Sequence, residues 1–391
     1  ERLLLAATER RLQADVPVGA LLSGGVDSAL VCWAIKSLGG DVTAFTIGTP
    51  GHEADESADA IATARDLGIR HELLALSESD QADVHSLAEA YGEPFACPSA
   101  LGMLTVSRAV ARAQVKVLLT GDGGDDVFLG YERHLMLRRI EQAARWLPAA
   151  AGPAWRSVRG LLPHTGVMRR AKHLVDYATG GLGAFLSAND GLPAYRARHL
   201  LGPRLASASI DARDTPWSVG AARQLLTDYL AHDLRTQFVA EYLTKVDGGT
   251  MYFALEARSP FLDQELWEFA ASLPVDVRLH ENGLKAILRT IARRRIAPRV
   301  ATGAKRGFTI PVGAWIAGRW HADVSAALRH SPLVAEGWLD ARALPAELEA
   351  ARHSPTAAMR LWNLYVLDAW LRVEQGTTPA LATVATVAAV A

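Results

Sequence analysis

The densest chemistry lies in Ser23-Gly24-Gly25-Val26-Asp27-Ser28, which ends one apolar run and begins another inside VGALLSGGVDSALV, residues 18–31. Two hydroxyls, one carboxylate and backbone amides left open by glycine suit a leaving pyrophosphate, and the carboxylate suits its Mg²⁺. The stretch lacks the lysine of GxxxxGK[ST] and the third glycine of GxGxxG, which argues against kinase, GTPase and dinucleotide readings. For SGG taken alone, a plain strand-to-helix turn with a serine cap is the competing explanation. A second cluster, Gly121-Asp122-Gly123-Gly124-Asp125-Asp126, puts three carboxylates on one glycine-rich loop. Crowded like charges on flexible backbone are costly, and a bound cation relieves that cost.

The surrounding pattern supplies a scaffold for both clusters. Residues 1–14 have the spacing of an amphipathic helix, and a strand, the glycine loop and a helix follow up to Gly39-Gly40. Val42 to Ile47 and His71 to Leu76 read as strands, with a helical pattern from Asp55 to Leu67 between them. Lys116 to Thr120 is a fourth strand whose carboxyl end carries the acidic loop. The β-α-β-α-β order predicts an α/β fold, a parallel sheet with helices on both faces. Ligands bind such sheets at the carboxyl ends of the strands, where both clusters fall. From about Tyr131 onward, helical patterns rich in Arg, Leu and Ala dominate, with no strand-like alternation and no repeat. The expected organisation is an α/β core over 1–135, a mostly helical part over 136–375 that completes the site, and a disordered Ala/Val/Thr-rich tail over 376–391.

Bulk properties exclude several classes. A formal net charge of -1 in 391 residues gives no electrostatic reason to expect nucleic acid or an anionic membrane as a partner. No apolar run reaches the ~18 residues of a membrane span. The two cysteines, Cys32 and Cys97, have neither CxxC nor zinc-site spacing and fit a reducing cytoplasm. The chain begins at Glu1, without methionine and within a helical pattern, which leads to the expectation of a processed or truncated piece of something longer.

Taken together, SGGVDS and GDGGDD resemble the ATP-pyrophosphatase (adenine nucleotide alpha hydrolase-like) fold of the asparagine synthetase family. KVDGGTMYFALEARSPFLD, residues 245–263, and KRGFTIPVGAW, residues 305–315, are similar to that family's later signatures. The resemblance runs from about Gln13 to Trp320. It implies an ATP-dependent, AMP-forming carbon–nitrogen ligase: a carboxylate attacks the α-phosphorus of ATP, pyrophosphate leaves, and an amine displaces AMP to form an amide.

The same resemblance assigns roles. Ser23, Gly24, Gly25 and Ser28 are expected to hold pyrophosphate, and Asp27 and Asp125 to hold Mg²⁺. Asp122 matches the carboxylate that takes a proton from the attacking amine, although many members have glutamate there. Lys305 matches the catalytic lysine; by itself, a lysine beside Arg306 reads as solvated surface. Leu21, Ile47 and Gly121 are expected to surround the adenine. Glu256, Arg258 and Asp247 are expected to form a buried ion-pair scaffold, and Arg293-Arg294-Arg295 the solvated face of a helix. Gly248-Gly249 departs from the KVDR form common in the family.

No residue matches the N-terminal nucleophilic cysteine of the family's glutaminase domain, so the expected nitrogen donor is ammonia or another amine, with a separate or removed glutaminase domain as the implied partner. The first expectation for the carboxylate is aspartate. A lasso-peptide macrolactam cyclase, acting on a peptide Asp or Glu, is the alternative. A β-lactam synthetase usually has tyrosine at the position of Asp122, which speaks against that relative. A scaffold that lost the reaction has no reason to keep Asp27, Asp122, Asp125 and Lys305 together.

Overall fold

The computed structural model describes residues 1–48, 55–75, 83–162, 166–189, 192–206, 219–279, 283–303 and 310–376. Among the described residues, five parallel strands form one sheet in the order β3-β2-β1-β4-β5: β1 Val18–Leu21, β2 Thr43–Gly48, β3 Arg70–Ala75, β4 Val117–Leu119 and β5 Glu256–Arg258. The chain therefore grows outward from β1 to β3, returns to pair β4 on the other side of β1, and leaves a switch point between β1 and β4. Such a point opens a crevice at the strands' carboxyl ends.

The period of two in each strand divides the core between the faces of this sheet. Ala20, Leu22, Ala44, Val117 and Leu119 pack with helices α1 (Arg2–Leu12) and α2 (Val26–Ser37), and with Leu266, Leu288 and Ala292. Phe45 and Leu118 pack on the opposite side with Val106 and Val110 of the helix Pro98–Arg112. Helix α2 is apolar nearly all round, with Val26 and residues 28–35 buried, so the glycine loop before it is anchored on a central element. Helix α3 (Ser57–Leu67) follows β2 and ends on Gly68 in the left-handed conformation.

One strand escapes the sequence pattern. β5 is only three residues, and Glu-Ala-Arg has no strand-like side chains; it exists through its pairing with β4, where Glu256 N–H donates to Lys116 O at 2.8 Å and Thr120 N–H to Arg258 O at 2.9 Å. The scaffold expected around it also differs. Glu256 and Arg258 do pair at 2.7 Å, but Glu256 and Asp247 are exposed. Arg258 spends its other donors on the carbonyls of Arg11 and Gln13, at 3.0 and 2.7 Å. The Arg293-Arg294-Arg295 run is exposed, as expected for a solvated helix face, and Arg294 and Arg295 pair with Glu1.

The chain divides into two compact units. The first, Glu1–Gln81 with Thr105–Asn189 and Ala212–Gly307, holds the whole sheet and a helical cluster built on Leu137, Ile140, Leu225, Leu226 and Tyr229. Buried Glu141 ties that cluster together by accepting from Leu226 N–H at 3.1 Å and pairing with Arg138 at 2.6 Å. The second, Ala82–Leu104 with Asp190–Asp211 and Phe308–Ala391, is helical and is organised around the helix Pro355–Glu374. Within it, buried Trp362 donates to Ala96 O at 2.8 Å and buried Glu347 pairs with Arg198 and Arg360. The tail expected to be disordered lies, from residue 377, outside the described residues. No helix among the described residues is long and apolar enough to cross a membrane.

Candidate active site

The glycine loop turns from β1 into α2 through a closed set of short hydrogen bonds. Ser28 Oγ accepts from Ser23 N–H at 3.0 Å and lies 2.9 Å from Ser23 Oγ, while Gly25 N–H donates to Ser23 Oγ at 3.1 Å. Gly25 caps α2 without a side-chain acceptor, so the capping serine that a plain turn would carry is absent. Gly24 N–H donates to Glu56 Oε2 at 3.1 Å, so a carboxylate already stands at one of the loop's donors.

The acidic loop meets it across the switch point. Gly121, directly after the last residues of β4, packs so close to α2 that a Cβ there would lie 2.8 Å from Ser28 N and 3.0 Å from Asp27 Cβ. A Cβ on Gly124 would lie 2.7 Å from Asp27 Cγ, and Gly123 has a φ of +85°. These positions admit only glycine, for close approach or for handedness. Ser259, one residue past β5, donates its hydroxyl to Asp122 O at 2.5 Å and pins the loop. The short strand that the pattern hid is thus what holds Asp122 in place.

Asp27 and Asp125 converge on one ammonium, that of Lys285. Its Nζ contacts Asp27 Oδ2 and lies 2.6 Å from Asp125 Oδ1. Lys285 is 7% exposed at its side chain and has a left-handed backbone, φ +54°, at the start of the helix Ala286–Arg295. Burial alone would lower its pKa, but Asp27 and Asp125 outweigh burial and hold it above the ordinary value. Sequence reasoning missed Lys285, since a lone lysine in GLKAIL carries no signal until packing brings it to the acidic pair.

The expected site residues fall as follows. Ser23, Gly24, Gly25, Asp27, Ser28, Gly121, Asp122 and Asp125 come together at the carboxyl ends of β1 and β4. Leu21 and Ile47 lie on adjacent strands, both part-buried in the cluster around Phe45. Lys305 lies outside the described residues, as do 304–309 in the segment that contains it. Among the described residues no group of three or more His, Cys, Asp or Glu side chains could hold a metal alone. Two carboxylates that share one cation do fit Mg²⁺, a hard ion that takes one or two protein carboxylates and completes its shell with phosphate and water.

The family model described as asparagine synthase matches residues 1–372. A Mycobacterium tuberculosis protein whose name provisionally assigns it as a glutamine-hydrolyzing asparagine synthetase is 31% identical, over 78% of this chain and 47% of its own. Asparagine synthetase [glutamine-hydrolyzing] 1 of Bacillus subtilis is 26% identical, over 78% of this chain and 48% of its own. Amidase chyE of Penicillium rubens is 25% identical, over 89% and 57%. The chain spans about half the length of the curated relatives it matches first.

Proposed function

Because the chain belongs to the asparagine synthase family, we propose that the crevice between β1 and β4 is the site of an ATP-dependent amide ligase that activates a carboxylate, aspartate first among candidates, as an acyl-adenylate. The observation that carries this reading is the convergence of Asp27 and Asp125, from two strand ends, on one buried cation beside a glycine loop.

A carboxylate oxygen of the acceptor attacks the α-phosphorus of ATP, and the bond to the bridging oxygen breaks to release pyrophosphate. Ser23, Ser28 and the amide of Gly25 donate to that leaving group, and Gly24 exchanges Glu56 for a phosphate oxygen. The first turn of α2 adds its partial positive charge. Asp27 and Asp125 would hold Mg²⁺, which supplies neutralisation of phosphate charge. Lys305 offers a compact ammonium to the same developing charge, while Leu21 and Ile47 pack the adenine and Gly121 offers it main-chain groups. Ammonia or another amine then attacks the acyl carbon, Asp122 takes its proton, and AMP leaves as the amide forms. Two buried cysteines outside any disulfide support a cytoplasmic setting.

The test is pyrophosphate release from ATP with Mg²⁺ and ammonium, with and without L-aspartate. Aspartate-dependent release that Asp27→Ala and Lys305→Ala abolish is the expected result. If no carboxylate stimulates release and both variants match the parent chain, the ligase reading is wrong. Stimulation by a precursor peptide and not by aspartate would instead make the chain a macrolactam cyclase.

A further inference from the structure

A second cation follows the acidic loop in the chain, and the mechanism above does not use it. Arg133 lies near the start of the helix Glu132–Ala144, and its guanidinium carbon is 4.5 Å from the ring centroid of Tyr131, 5.7 Å from Tyr229 and 6.0 Å from Tyr242. One terminal nitrogen donates to the Tyr242 hydroxyl at 2.6 Å, and Nε is buried with no hydrogen-bond partner among the described residues. Asp233 lies within electrostatic reach, but its carboxylate accepts from the Tyr229 hydroxyl at 2.9 Å. Arg138, five residues on, also has a buried Nε without a hydrogen-bond partner among the described residues, but its terminal nitrogens meet carboxylates, Glu141 at 2.6 Å and Asp276 at 2.7 Å. Arg133 has aromatic faces where Arg138 has carboxylates.

A guanidinium clamped by rings, with donors left over, is pre-organised for a planar anion. Tyr131 links the cage to the acidic loop: it lies within electrostatic reach of Asp125 and Asp126 and stacks on Tyr242 at 6.1 Å. Tyr131, Arg133 and Tyr242 are all part-exposed, so a ligand can reach the rim. Tyr242 itself stands on a π-helical turn, Phe238–Leu243, an irregularity that recurs at functional sites. Lys245 adds a second positive charge, its Nζ 5.6 Å from the centroid of Tyr242.

We propose that this cage receives the carboxylate that is not activated on a small dicarboxylic amino acid, a proposal that rests on the ligase reading above. The activated carboxylate loses its negative charge when it joins phosphorus. A permanent cation therefore suits the other carboxylate, whose charge persists through both steps and needs a lasting partner away from water.

The test is calorimetric titration of the full chain with L-aspartate and with L-aspartic acid α-amide, in the presence of α,β-methylene-ATP. The parent should bind aspartate at least about tenfold more tightly than the α-amide, the scale of one charge-assisted pair. Arg133→Met should erase that preference and leave affinity for the nucleotide analogue unchanged within twofold. Tyr242→Phe, which removes the hydroxyl that orients the guanidinium and keeps its charge, should reduce the preference by a smaller factor, and it carries the test if Arg133→Met fails to fold. No binding of aspartate by the parent, equal binding of the two ligands, or a preference intact in the variants overturns the proposal. So does loss of nucleotide affinity in place of aspartate affinity, which would make Arg133 a phosphate contact. If Arg133-dependent aspartate binding is found but ATP is never cleaved, the ligase reading fails and the carboxylate site stands.

Discussion

Lys285 Nζ lies 2.6 Å from Asp125 Oδ1 and also contacts Asp27, so one ammonium is shared by the two carboxylates at the ends of β1 and β4 and offsets one of their two negative charges. Removing it leaves a charged pair in a mostly buried place, which costs about 3–5 kcal/mol when a buried pair is broken from one side. Lys285→Met should therefore melt well below the parent chain, and Mg²⁺ should raise its melting temperature more than the parent's, because the ion takes over the lysine's role. Equal Mg²⁺ effects on the two proteins would show that Asp27 and Asp125 do not share the ion.

Gly130 closes the back of this arrangement. A Cβ there would overlap Asp125 Oδ1 and Lys285 Cε. Both are side-chain atoms, but each is held by the other, so neither can withdraw without opening the ion pair. Gly130→Ala should cost about 1–3 kcal/mol by overpacking and lower aspartate-dependent pyrophosphate release at least tenfold. A variant with parent-like turnover and melting would mean that the pair is softer than its packing implies.

Asp122 gives a different signature from the loop residues. As the group that accepts the amine's proton it acts after adenylation, so Asp122→Asn should retain exchange of labelled pyrophosphate into ATP. Amide formation should fall by about 10²–10⁴, the usual scale for a positioned base. If exchange and amide formation fall together, Asp122 serves the first step or the fold of the loop.

Acid stability should trace Asp263. It caps the helix Gln264–Ser272 and pairs with Arg10 at 2.6 Å and Arg11 at 2.5 Å. Burial alone would raise its pKa, but the arginine hydrogen bonds outweigh burial and hold it below the ordinary 3.8. The folded value lies below the unfolded one, so its contribution is fully present above about pH 4 and is lost as pH falls through the folded value. Asp263→Asn should lower the melting temperature at pH 7 and flatten its decline between pH 4 and pH 2. An unchanged acid limb would mean that the pair contributes nothing measurable.

Much of the site was legible because its chemistry is local. SGGVDS and GDGGDD each end a strand, and the glycines that let two backbones approach, Gly121 and Gly124, are visible in the letters. Four strands were legible from apolar runs between turn residues. β5 was not, because a three-residue strand takes its conformation from hydrogen bonds to β4 and not from its own side chains. The buried ion pair expected at Glu256 and Arg258 forms at the surface instead, because the edge position of β5 leaves Glu256 in solvent.

By itself the sequence determined which groups could hold a nucleotide's phosphates and where along the chain they stand, since a turn's chemistry depends on neighbours a few residues away. Only the tertiary structure decided which side chains the cations Lys285 and Arg133 meet. Lys285 reaches Asp27 across 258 positions, and Arg133 acquires its cage from rings on three separate segments. Such pairings depend on how helices pack on the sheet, and helical periodicity specifies which face is buried without specifying what it meets.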